Sequence, residues 1–345
     1  RRIGKWRQSI ATLKVASELK YTNDKVLKDI ANIRNQHLSF VQLDGERKII
    51  ESNRVEEIAT ITSRIYLSEG ASFNVVASTN HANFQRLTLL DGQQVDNESV
   101  TRKRATVSLN YEVLNGDEWN IRLHDSNAIL GAGAHYKILD LYGSTTAAID
   151  YRKSTWSYAE TIAHAGTVDQ VFITKKHSFF ERLPASLKIS YNNYRLKDTE
   201  SLVKSLGVDA GINYIIPRYL LQGFLSHDDY VSLGYYFNAE YPSSVKEYVD
   251  VSGASFKPLP IEKYELHSID VFLHKMLHSV ILFEGSVGYS KNINAGSAPR
   301  FSTKLTFFPK EYLSYYVSAA RSINTSSTAD NEKLDIIKAG IIWKF

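Results

Sequence analysis

Counted back from the C-terminus, every second side chain is apolar: Phe345, Trp343, Ile341, Ala339 and Ile337. The residues between them, Lys344, Ile342, Gly340, Lys338 and Ile336, are mixed. Side chains alternate across a strand, so this segment reads as one strand with an apolar face and a partly polar one. A soluble domain rarely ends on an exposed Phe in a strand. The apolar face therefore has to be placed against something other than water.

The same period runs back through most of the chain. Ala59, Ile61, Ile65 and Leu67 alternate with Thr60, Thr62, Arg64 and Tyr66. Phe73, Val75 and Ala77 alternate with Asn74 and Ser78, and Ala105 to Val113 with Arg104 to Glu112. Asn115-Gly116 turns the chain, and Trp119, Ile121 and Leu123 then alternate with Asn120, Arg122 and His124. Further strands fall at about 129–139, 144–152, 168–178, 186–195, 205–216, 218–226, 229–241, 263–274, 278–291, 299–308, 312–322 and 334–345. That is about sixteen, within a range of fourteen to eighteen.

A soluble sandwich alternates too. These strands, however, often run ten residues or more, where globular strands run about five or six. Aromatics gather toward strand ends, at Tyr111, Tyr136, Tyr151, Tyr191, Tyr214, Tyr241, Tyr264, Tyr289, Trp343 and Phe345, as girdles at two water–lipid interfaces would. The 345 residues include 21 Tyr against 15 Phe, which suits surfaces where one end of a ring is wet. No apolar run reaches the ~18 residues of a spanning helix. That excludes a helical membrane protein and leaves a barrel, whose polar lumen dilutes the average. The fold class expected is all-β, a transmembrane antiparallel barrel with a short helical segment before it.

Residues 1–45 read differently. Ile3, Trp6, Ile10 and Leu13 are spaced for a helix, and Thr22 or Asn23 would cap a second one burying Val26, Leu27, Ile30 and Ile33. The pair is either the end of a tetratricopeptide-like domain or a hairpin that plugs or flanks the barrel. Leu43 to Ile50 reads as an irregular boundary, with the barrel taken as 46–345. The chain begins with Arg1, and the expectation is a C-terminal piece of a longer protein or a processed form. With a periplasmic C-terminus, short and long connections alternate as expected beyond residue 217. Before it the order fails, because Glu69-Gly70 and Asn115-Gly116 become outer turns.

The chain has no Cys, which excludes disulfides and Cys-bearing metal or redox sites. Its net charge of +4 is small and its basic residues are scattered, which argues against nucleic acid. No catalytic motif is present, and no cofactor or metal is expected. His267, His274 and His278 are near in sequence, but they spread over two strands and a turn. The informative set is the polar parity: Arg64, Arg104, Glu112, Arg122, Lys137, Asp150, Lys188, Asp209, Glu240, Asp270, Glu284, Lys304 and Lys338. On a lipid face each midplane cation would cost about 2–4 kcal/mol, so these residues are assigned to the lumen. Tyr66, Tyr194, Tyr230, Tyr236, Tyr312 and Tyr316 share that parity. Rings and charges together suit a sugar chain, and they suit structural filling by mutual pairing equally well.

The ending resembles the C-terminal signal of bacterial outer-membrane barrels, which makes Ile341, Trp343 and Phe345 the contact for the barrel assembly machinery. Residues 155–171 (TWSYAETIAHAGTVDQV) read as a helix from about 156 to 165, ended by Gly166 and followed by a strand. This stretch and residues 256–267 (FKPLPIEKYELH) resemble segments of the C-terminal barrel of PelB-type exopolysaccharide exporters. The resemblance implies an outer-membrane conduit for a polysaccharide, fed by a periplasmic tetratricopeptide domain and working with a periplasmic or lipoprotein partner. It implies no catalytic residues. The rival readings are the protein-translocating barrel of a surface-lipoprotein exporter and a general porin. The longest connection, 242–262, with Pro242, Gly253, Pro258 and Pro260, is the candidate lid or lumen-folded loop.

Overall fold

The computed structural model describes residues 37–345, with Thr12 and Leu13, apart from 52, 53, 69, 114, 115, 181, 222, 227, 228, 251, 295 and 324–332. The helices expected in residues 1–36 therefore lie outside the described residues, as do Glu69, Asn115 and the outer connection before the last strand.

The strands are β1 (Phe40–Ile50), β2 (Arg54–Tyr66), β3 (Ala71–Thr88), β4 (Gln94–Glu112), β5 (Glu118–Ser126), β6 (Ile129–Leu139) and β7 (Gly143–Ser154). A one-turn helix, α1 (Ala159–Ala163), precedes β8 (Thr167–Phe179), β9 (Leu183–Arg195), β10 (Val203–Ile215) and β11 (Tyr230–Val245). A small hairpin of β12 (Tyr248–Val249) and β13 (Ser255–Phe256) follows. The last five are β14 (Tyr264–His278), β15 (Ile281–Asn292), β16 (Gly296–Lys310), β17 (Leu313–Ile323) and β18 (Lys333–Lys344). All but β12 and β13 close into one sixteen-stranded antiparallel barrel. Each barrel strand pairs with its neighbours in sequence order, and β1 closes against β18 from Phe40↔Lys344 to Ile50↔Leu334.

Period-two alternation decides which way each side chain points. On β5, Leu123 is 63 % exposed while the next residue, His124, is 5 % exposed. Outward positions form an apolar band that includes Ile61, Leu109, Ile121, Ile149, Ile173, Ile189, Leu233, Val287 and Val317. A band of this kind around a barrel with a polar interior inverts the plan of a soluble domain and is suited to lipid. Tyr111, Trp119, Tyr214, Phe307, Tyr315 and Trp343 rim it at the end that carries Phe40 and Phe345, here the terminal end. Tyr151, Tyr191, Tyr289 and Phe301 rim it toward the opposite, far end. Tyr264 departs from the expectation: it shares the inward parity of Ser268 and Asp270 and lines a cavity instead of the girdle.

The strand count of sixteen agrees with the sequence reading, but through two compensating differences. Leu43 to Ile50 is not a boundary; it is most of β1, fully paired on both sides. Residues 218–226 are not a strand; they hold a single 3-10 turn, Arg218–Leu221. Adding the first and removing the second moves the β2–β3 and β4–β5 turns to the terminal end, where short turns belong, and leaves the β10–β11 connection as the long one there. The far end carries the longest hairpin, β3–β4, and the long connections 155–166 and 246–263.

The seam is reinforced inside the wall. The Tyr316 ring lies across Gly340, where a Cβ would meet ring atom Cε1 at 2.6 Å. The Tyr316 hydroxyl donates to Asp44, which also faces Lys338 at 3.8 Å. Outside, Trp343 and Phe345 pack ring to ring at 5.3 Å, and the Phe345 N–H donates to the Ser39 carbonyl at 2.8 Å.

Arg at Leu109, Leu233 or Val317 is expected to prevent insertion, at a cost of about 2–4 kcal/mol for a midplane charge. Arg at Ser108, Ser232 or Ser318, which face the lumen, is expected to be tolerated; heat-modifiable migration on gels reads the folded fraction of each. Phe345→Asp is expected to reduce folded barrel in cells, measured by the same shift, because it removes the outer contact of the closing strand.

Candidate functional site

The lumen wall is made of paired charges. Arg122 grips Asp150 through Nε and Nη2 at 2.6 and 3.0 Å, with His124 and Lys153 also within 3.6 Å of that carboxylate. Lys137 meets Glu118 at 3.7 Å, Lys188 meets Asp209 at 3.7 Å, and Arg300 meets Asp270 at 3.4 Å. Glu284 is shared by Lys304 at 3.3 Å and His274 at 3.4 Å. Arg64 donates to Asn74, and the Tyr236 hydroxyl donates to Asn213. Such pairs satisfy one another inside a wall that lipid cannot solvate.

Across the far end the lumen is covered. The 155–166 connection dips inward, and α1 packs with Trp156, Ala159, Ile162 and Ala163 against Ala82, Phe84 and Leu87 of β3. Arg102 donates to the carbonyls of Ile162 and Ala163, where the helix C-terminus concentrates negative charge. The Arg104 guanidinium stacks on Trp156, 3.8 Å from the ring centroid. Burial lowers the His164 imidazole, and its Nε2 donates to the Thr88 carbonyl at 3.2 Å.

On the other side, Tyr158 joins Val168, Tyr194, Leu196, Leu202, Val203, Leu259 and Ile261 in a second apolar cluster. Glu240 ties it down: its carboxylate accepts from the Tyr158 and Tyr194 hydroxyls at 2.8 Å each and from Ser205 at 2.5 Å. Burial, helped by Tyr194 and Glu240, pushes the Tyr158 phenol well up, so it stays a donor.

The 246–263 connection completes the cover. Its stem buries Leu259 and Ile261. Its tip reaches Gly92 in the β3–β4 turn, where a Cβ would meet Asp250 Cβ at 2.7 Å and the Phe256 ring at 3.0 Å. In the closed strand order, β3 lies eight strands from β11 in either direction, so this connection spans a full diameter. Beneath the cover lies a cavity of about 700 Å³. Trp156, Tyr158, Tyr194 and Tyr264 line it together with Arg54, Glu56, Arg104 and Glu240.

Among solved structures, one described as a bacterial polysaccharide outer membrane secretin superposes with a TM-score of 0.60 at 11 % identity, over 89 % of this chain and 98 % of that one. OccK11 (OpdR) of Pseudomonas aeruginosa gives 0.46 at 7 % identity, over 89 % and 95 %. OmpF of Salmonella typhi gives 0.45 at 9 % identity, over 89 % and 97 %. No protein-family model and no curated protein matches the chain. The chain has the fold of an outer-membrane β-barrel. At these identities the likeness is one of fold.

The barrel places all fifteen residues assigned to the pore on the inward parity, though most are engaged in pairs: Arg64, Arg104, Glu112, Arg122, Lys137, Asp150, Lys188, Asp209, Tyr236, Glu240, Asp270, Glu284, Lys304, Tyr316 and Lys338. Tyr312 differs, standing at the β16–β17 turn. Of the candidate lid residues, Pro242 belongs to β11, opposite Ser205 at a register shift where a missing N–H is tolerated. Gly253 stands at the exposed tip with φ +87°, and Pro258 and Pro260 flank the buried Leu259. His267 shares the outward parity of Tyr235, whose hydroxyl it meets at 2.7 Å, while His274 faces inward. No group of three metal-ligating side chains occurs among the described residues.

Sequence reasoning missed Arg54, Glu56 and Asn80. Arg54 bonds Glu56 at 2.6 Å, and Asn80 bonds the same carboxylate at 2.9 Å. All three are buried beside the inserted helix. Their shared inward parity on β2 and β3 was the available signal, hidden because the alternation read from the sequence begins at Ala59 and, on β3, stops at Ser78.

Glu240→Ala leaves two buried phenols without an acceptor, each costing about 1–3 kcal/mol. The 155–166 connection is expected to become nicked by added protease while the heat-modifiable barrel persists; unchanged nicking would show that Glu240 does not hold it.

Proposed function

We propose that this barrel is a gated, non-catalytic conduit for a polysaccharide chain across the outer membrane. The single observation that carries the reading is the covered mouth. The 155–166 connection, held by Glu240, Arg102 and Arg104, and the 246–263 connection, packed through Leu259 and Ile261, roof an aromatic and charged cavity inside a sixteen-stranded barrel. A barrel of this strand number is wide enough for an aqueous channel. A passage of that width leaks solutes unless something closes it, and the roof is what a polymer conduit requires when idle. Opening of the roof would bare the rings of Trp156, Tyr158, Tyr194 and Tyr264, on which sugar rings stack, with amides and charges beside them for hydroxyls. The secretin whose fold is shared is itself described as a polysaccharide one, which supports the same reading.

In this scheme the terminal end is periplasmic. The residues ahead of β1 are the tail of a helical-repeat domain that delivers the polymer, and Ile341, Trp343 and Phe345 meet the assembly machinery. The roof has two parts. The 246–263 connection is the outer strap, and α1 with its flanks is the inner stopper.

The test is single-channel recording in planar bilayers. Deleting residues 245–257 is expected to raise conductance modestly. Replacing 156–165 with a flexible linker is expected to raise it more, and the opened form is expected to show current blockades with long oligosaccharides. Conductance that stays at zero in both variants would mean a filled barrel and would end the export reading.

A further inference from the structure

At the terminal end one connection breaks the pattern. The neighbouring turns are short, but the connection between β10 and β11 is long, and its described residues fold back on themselves. Leu220 N–H donates to the Pro217 carbonyl at 3.0 Å and Phe224 N–H to the Leu221 carbonyl at 3.1 Å, so two turns follow in succession. Gly223, at φ +85°, is the third residue of the second turn. Asp229 then anchors the end. Its carboxylate accepts from Ser226 N–H at 2.7 Å and from Met276 N–H at 2.8 Å, tying the excursion to the last turn of β14.

This ordered excursion carries Tyr219, Leu220 and Phe224 outward, all more than half exposed. Its direction is fixed by Lys275. The Lys275 Nζ lies 3.9 Å from the Phe224 ring centroid and donates to the Phe224 carbonyl at 2.9 Å. Lys275 shares the parity of Ile269 and Val271, which belong to the outward, lipid-facing set of β14. Phe224 therefore sits on the outside of the wall and not under the lumen. Tyr214, an outward aromatic near the end of β10, leads directly into the same patch.

We infer that the stretch carrying Tyr219, Leu220 and Phe224 forms a membrane foot. Tyr219, Leu220 and Phe224 lie in the interfacial layer of the phospholipid leaflet at the terminal end. Arg218 extends its cationic head to the phosphate level while its stem covers apolar surface, and Lys275 stays on Phe224. An amphipathic element lying in the interface plane, continuous with the lipid band, has this composition. The foot stands at one place on the barrel circumference, and so it ties the barrel's tilt to that side.

Because the chain has no Cys, single labels are unambiguous. The experiment compares Leu220→Cys with Leu123→Cys, in the mid-wall band, and Ser252→Cys, at the far-end tip. Each carries an environment-sensitive fluorophore on the full barrel in phosphatidylcholine vesicles, and heat-modifiable migration confirms folding. The label at 220 is expected to be quenched by nitroxide near the lipid headgroup more than by nitroxide deep in the acyl chain, and to resist aqueous iodide. The label at 123 should prefer the deep nitroxide, and the label at 252 should respond to iodide. Iodide quenching at 220 equal to that at 252 would overturn the proposal and leave the patch as a docking surface for a protein. Phe224→Cys gives an independent second reading of the same contact.

Discussion

The backbone pairing of β1 with β18 is the constraint on which the rest depends. In hydrocarbon no water is available for an open sheet edge, and each unsatisfied N–H or C=O costs several kcal/mol. Eleven aligned residue pairs, from Phe40↔Lys344 to Ile50↔Leu334, remove that edge. Once the ring is closed, the parity of every strand is fixed, and with it which charges can exist at all. Asp44, on the first strand, then meets Lys338 of the last and Tyr316 beside it, so the seam also holds one of the lumen's polar clusters.

Closure explains why the interior tolerates so much charge. Asp150 is 1 % exposed yet stands among Arg122, His124 and Lys153, each on the inner face of the wall or at its bulge. A lone buried carboxylate would be protonated or excluded; a gripped one is retained. The polar parity therefore works first as structure, bracing adjacent strands from within, and the space left over is the cavity beneath the cover. Functional and structural readings of these residues meet at Glu240, which is a wall residue by position and a clasp by its bonds to Tyr158 and Tyr194.

Much of the fold was legible because lipid enforces alternation, and the failures fall where lipid ends. Within β1, Glu46, Arg47 and Lys48 are polar on both faces, so the period-two signal vanished although the strand continues. Residues 218–226 carry Leu220, Leu221 and Phe224, enough apolar character to pass for a strand, yet their place is outside the barrel wall. Tyr264 looked like a girdle residue because distance from the strand end was readable while its parity was not yet anchored. The inserted helix was legible from residues 155–166 alone. Its clasp was not, since only closure brings Tyr158 to Glu240, 82 positions away in the chain.

The strap that runs from β11 and β14 to the turn at Gly92 has a mechanical consequence. It joins two points of the ring that are eight strands apart on either side. A barrel wall is a thin hoop, and hoops deform most easily by becoming oval. A strut across one diameter stiffens that axis at the far end. Lateral pressure in the bilayer therefore meets more resistance along this diameter than it would in a ring without the strap.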